Sequence, residues 1–178
     1  MAMDRVDIEH LAEKVVDYIY HGSDEWAAPL IAEHGLCATE LCRRNFTFCQ
    51  RAIYGSPKLM DAYQFASGST WQRIRETGIT DPSEAAREYY DRPAHVFRFR
   101  LEDLPSECRV EKDPAWEGAV RIKGCACTPP EILETCEMPT RWPWPGGVYP
   151  SAEEAEKLCE GRWKRVKEEG RGTRRAGD

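Results

Sequence analysis

The chain has no long apolar run, no paired Cys-x-x-Cys, no internal repeat and no excess of positive charge. No stretch is long enough to cross a membrane, and the opening MAMDRVDIEHLAEK lacks the apolar segment and cleavage site of a signal peptide. A cytoplasmic protein with no membrane partner is therefore expected. The formal net charge of -6 over 178 residues argues against a general nucleic-acid coat protein. Without an export signal, the eight cysteines are expected to be reduced thiols. Cys37, Cys42 and Cys49 form one group, and Cys125, Cys127 and Cys136 another; neither has zinc-ribbon spacing. The Cys-x-Cys pair on a strand would send two thiols to one face, where they are either metal ligands or small buried side chains. No metal site is assigned.

Charged residues make up 31% of the chain and hydrophobic ones 41%, the balance of a globular protein with a core. One domain is expected over residues 1–150, then a C-terminal helix over 151–170 and a disordered tail over 171–178. Residues 161–178 hold seven Lys/Arg and three acids, so this end carries +4 and the rest -10. A solvated helix end and tail is the plain reading of that charge.

Local patterns predict the order of elements. Residues 7–16 read as a helix with Ile8, Leu11, Val15 and Val16 on one side. YIYH reads as a short strand. Ser23 or Asp24 can cap a short helix that holds Pro29 in its first turn and ends at Gly35. TELCRRNFTFCQRAI, PKLMDAYQFA and STWQRIRET are three candidate helices. In DPSEAAREYYD, Asp81 is an N-cap, Pro82 the first helical residue and Glu84 the capping-box partner. HVFRFRLED and EGAVRIKG alternate apolar with basic residues, as antiparallel strands with one buried face do. TPPEIL reads as a capped turn, MPTRWPWPGGVYP as a connector containing Trp142 and Trp144, and SAEEAEKLCEGRWKRVKEE as a final helix capped by Ser151 with Glu154. Helices early and late with antiparallel strands between make the fold class α+β.

One stretch has more than structural meaning. DYIYHGSDEWAAPLIAEHGL places His21-Gly22-Ser23 at a strand end, directly before a short helix. Later come GITDPSEAAREYY, a strand, DPAWEGAVRIKG and TPPEIL. In this order the pattern resembles the ADP-ribosyltransferase superfamily, which includes the poly-ADP-ribose polymerases and diphtheria-like toxins. The resemblance covers roughly residues 17–135. YHGS matches the family's aromatic-His-Gly-Thr/Ser strand end. IAEHGL matches the end of the following helix. Glu117 matches the glutamate near the start of a later strand. In the second motif Thr80 stands where a tyrosine is expected after Gly78-Ile79. Tyr54, Tyr63, Phe65 and Trp71 are the other aromatics that could take a stacking role.

The resemblance implies split antiparallel sheets flanked by helices, NAD as substrate, and an acceptor that is protein or nucleic acid. It implies that Glu117 hydrogen-bonds a ribose hydroxyl and stabilises the cation formed as the nicotinamide–ribose bond breaks. His21 would bind a ribose hydroxyl and Gly22 would present bare backbone to the carboxamide. Ser23 would add a hydroxyl contact, and Tyr89 or Tyr90 would stack on the nicotinamide. Arg98, Arg100, Arg121 or Lys123 would face the pyrophosphate. Transfer of one unit is expected from a single small domain. Two other functions compete: a catalytically inactive binding module on the same fold, and a cysteine-ligated metal protein that binds nucleic acid.

Overall fold

The computed structural model describes residues 17–38, 52–114, 117–140 and 150–167. The expected helix at 7–16, most of the candidate helix through 39–51, Trp142, Trp144 and the tail at 171–178 lie outside these.

In chain order the elements are β1 (Tyr18–Ser23), α1 (Ala28–His34), β2 (Ile53–Gly55), α2 (Leu59–Glu76), α3 (Pro82–Tyr90) and β3 (Pro93–Arg100). Then follow β4 (Arg109–Lys112), β5 (Val120–Lys123), β6 (Glu134–Pro139), α4 (Ala152–Cys159) and β7 (Lys164–Arg165). Single 3-10 turns lie at Leu101–Asp103 and Pro130–Ile132. The class is α+β. Two antiparallel sheets run in the orders β1-β3-β6-β7 and β2-β5-β4.

Side-chain alternation divides the core. From β1, β3 and β6, the even positions Tyr20, Gly22, Ala94, Val96, Cys136 and Met138 face α2 and α4. There they meet Leu59, Ala62, Tyr63, Ala66, Ala155 and Cys159. The odd positions Ile19, Phe97 and Phe99 face Ile53, Val120 and Ile122 of the second sheet. The four-stranded sheet is thus a middle layer, with α2 and α4 on one side and the short sheet and α1 on the other. Burial of each large apolar side chain contributes roughly 1.5–3 kcal/mol. A third, smaller cluster joins Ile74 near the end of α2 to Ala85 and Tyr89 of α3.

Several expectations hold. Asp81 accepts the Glu84 N–H at 2.8 Å, with Pro82 opening α3. Ser151 and Glu154 form a reciprocal capping box. Pro29 sits in the first turn of α1, and Gly35 ends it at φ 83°.

Others are corrected. Asp24 does not cap α1 directly; its carboxylate accepts the Ala27 N–H in a turn ahead of the helix. Ile53 is in a strand, not a helix, because Ile53-Tyr54-Gly55 pairs with β5. PKLMDAYQFA and STWQRIRET form one continuous helix of 18 residues. The small face of Ala62 and Ala66 packs on β1 and carries the helix through Gly68. The final helix stops at Cys159, earlier than expected. Gly161 at φ 66° turns the chain so that Lys164–Arg165 pairs with β6.

The largest correction concerns the thiols. Cys37 is disulfide-bonded to Cys127, and Cys108 to Cys125. The first ties the segment after α1 to the loop after β5, where Ala38 donates to the Ala126 carbonyl. The second closes the outer end of the β4–β5 hairpin. The two cysteines of the Cys-x-Cys therefore go to different partners instead of sharing a ligand. Such bonds belong to an oxidising setting. No helix among the described residues is long and apolar enough to cross a membrane.

Candidate functional site

β1 and β2 approach each other but pair only once. Tyr20 and Ser56 exchange both backbone hydrogen bonds, at 2.8 and 2.9 Å. Those bonds point away from β3. In an antiparallel strand the same direction recurs every second residue. The N–H and C=O of Gly22 are therefore aimed off the open edge of β1. Among the described residues no further bridge continues there. This is the split between the sheets.

His21 stands at that split, half-buried and facing the second sheet. Its Nδ1 lies 2.7 Å from the Tyr54 carbonyl. A carbonyl only accepts, so Nδ1 carries the proton and donates. Burial favours the neutral form and holds the ring below the ordinary histidine pKa, outweighing the raising effect of the Tyr54 bond. In neutral His21, Nε2 is then an acceptor, suited to a hydroxyl donor.

The residue after β2 anchors the next part. The Ser56 hydroxyl donates to the Asp61 carboxylate at 2.6 Å, accepts the Lys58 N–H at 3.0 Å, and lies 3.5 Å from the Gly118 carbonyl. Gly118 forms the turn with Glu117, and a side chain added at Gly118 would come within 4.0 Å of Asp61. The segment at 54–61 thus touches two others far away in sequence, Tyr20 and His21 on β1 and the turn at Gly118. Glu117 itself is exposed.

Gly22 is glycine for a reason the sequence did not suggest. A Cβ there would lie 1.8 Å from the Ala62 carbonyl and 2.7 Å from the Ala66 nitrogen. The missing side chain lets α2 sit directly on β1, while among the described residues no strand pairs with Gly22 along the edge away from β3. Ser23 is buried, and its hydroxyl donates to the Asp24 carbonyl.

The expected aromatics are placed elsewhere. Tyr89 is enclosed in the third cluster, edge-on to Trp71 at 5.6 Å, so neither ring face is open to a ligand. Tyr90 is exposed on α3. Tyr89 packs by the C-terminal end of α2, where Ile74 is roughly 12 Å along the helix from Ala66, which opposes Gly22. The basic residues are engaged too. Arg98 pairs with Glu134 at 2.6 Å and lies over the rings of Tyr18 and Trp163. Arg100 pairs with Glu102, and Arg121 and Lys123 with Glu111. Arg98 and Arg100 share the sheet face opposite to that of His21. A cavity of about 230 Å³ beside Tyr18, Arg100, Glu134 and Arg165 lies at the other end of β1 and mixes both charge signs.

Sequence reading missed Ser56 and Asp61. A signal existed: IYGSP repeats the grammar of YHGS, with strand formers, Gly-Ser and then a helix.

No protein-family model, no curated protein and no solved structure matches the chain.

Proposed function

We propose that the protein is an NAD-dependent mono-ADP-ribosyltransferase that breaks the nicotinamide–ribose bond and passes ADP-ribose to a protein or nucleic-acid acceptor. One observation supports the reading: the Tyr54–Asp61 segment, beside the split between the sheets, touches both the YHGS strand end and the turn that carries Glu117. The chemistry there suits the substrate. The Gly22 N–H and C=O form a donor–acceptor pair of the kind a carboxamide complements. His21 Nε2 can accept from a ribose hydroxyl. Glu117, on the neighbouring turn, supplies the carboxylate for the oxocarbenium-like cation.

Incubation with NAD labelled in the nicotinamide should release the label. Glu117→Gln should slow release by a factor of about a hundred or more, the usual scale for loss of a group that stabilises charge in a transition state. His21→Asn, whose amide can still reach the Tyr54 carbonyl, should weaken NAD binding without unfolding the chain. Absence of release by the unaltered protein would remove the enzymatic claim.

A second reading rests on the enclosure of Tyr89: a module on the same architecture that binds without turnover. It predicts NAD binding by calorimetry with no nicotinamide released. The disulfides weigh against the metal reading, since they occupy four of the eight cysteines.

A further inference from the structure

Two described cysteines lie outside the disulfides, and both are buried. Cys136 is on β6 and Cys159 is the last residue of α4. They belong to one core cluster at the helix–sheet boundary, where Arg162, whose N–H donates to the Cys159 carbonyl at 3.0 Å, reaches the carbonyl of Glu137 next to Cys136 at 2.7 Å. Only Ala155 and Cys159 bury α4 fully against that boundary. The helix is eight residues long, so its grip on the sheet is small. The same chain already builds two disulfides elsewhere.

We propose that Cys136 and Cys159 are the site of a third disulfide, formed by exchange with a small-molecule disulfide such as oxidised glutathione, which ties α4 to β6. The Cys136 thiol loses its proton to water, and its sulfur attacks one sulfur of the reagent. A protein–glutathione bond forms and one glutathione thiolate leaves. Cys159 then loses its proton and attacks the Cys136 sulfur, expelling the second glutathione thiolate. Two protein thiols are oxidised, one external disulfide is reduced, and each expelled thiolate takes up a proton. Hydrogen bonding from Cys159 holds the Cys136 thiol below its ordinary value, with Arg162 and Arg98 acting the same way against burial. That bond, then burial, pushes Cys159 up. The reagent reaches the two thiols when α4 lifts in a local opening.

Full-length protein is incubated with oxidised glutathione without denaturant, quenched in acid, alkylated, digested without reduction and mapped by mass spectrometry. The expected product is a Cys136–Cys159 cross-linked peptide, with a higher thermal midpoint than a sample whose two thiols are alkylatable. Cys159→Ser should accumulate glutathione at Cys136 with no cross-link formed, and Cys136→Ser should likewise yield no cross-link. Recovery of both residues fully alkylated from wild-type protein after prolonged incubation would overturn the proposal. So would their cross-linking only to other cysteines. A cross-link that leaves the midpoint unchanged would overturn the tethering.

Discussion

The four-stranded sheet buries Val96, Phe97 and Phe99 within β3 alone, because helices cover one face and the second sheet covers the other. The three-stranded sheet has strands of three or four residues, and its outward positions Tyr54, Arg121 and Lys123 are only partly buried. The first is held by side-chain burial under long elements. The second has too little covered area for that, and disulfides stand at its margins. The candidate site lies between them. One wall is set by helix packing and the other by a stapled hairpin.

Reduction should separate the two regions most sharply. Loss of the Cys37–Cys127 bond, whose ends are 90 positions apart, should cost about 4.6 kcal/mol by the chain-entropy estimate. Hydrogen exchange in dithiothreitol should quicken first at Val120 and Ile122, while Val96 and Phe97 stay protected. Equal loss in both sheets would mean that they form one cooperative unit.

Gly22→Ala tests the packed wall. Its Cβ meets main-chain atoms of α2 that have no rotamer to yield, so overpacking should cost on the order of 3 kcal/mol. A denaturant midpoint within error of wild type would show that α2 moves freely. Ser151→Ala removes the cap of α4 and should cost about 1 kcal/mol, affecting the helix layer and leaving the second sheet's exchange unchanged.

The smallest effect is that of pH. Burial depresses the folded pKa of His21, so the unfolded chain binds the proton more readily. Stability should be level above the ordinary imidazole pKa of about 6.5 and fall as pH drops from there toward the depressed folded value. His95 shifts the same way, also through burial. Urea midpoints at neutral and mildly acidic pH should therefore converge in His21→Asn without becoming equal. An unchanged slope would show that His21 does not report on the split.

Legibility followed distance along the chain. β1, α3 and the capped start of α4 were readable because caps, prolines and alternation act within a few residues of one another. β6 was not, since ETCEMP has weak strand formers and is a strand only because Val96 and Ala94 pair with Cys136 and Met138. Of the site, His21 and Gly22 were readable as a strand end. Ser56 and Asp61 were hidden in a segment that local pattern assigned to helices, and Tyr89 has the same helical spacing whether it points to a core or a cleft.

By itself, then, the sequence determined where helices start, which strand faces are apolar, and that His21-Gly22 closes a strand. These depend on neighbouring side chains and backbone geometry. Only the tertiary structure decided which cysteines pair, why Gly22 lacks a side chain, and which strand confronts His21. Those outcomes rest on contacts between residues tens of positions apart, which no local pattern encodes.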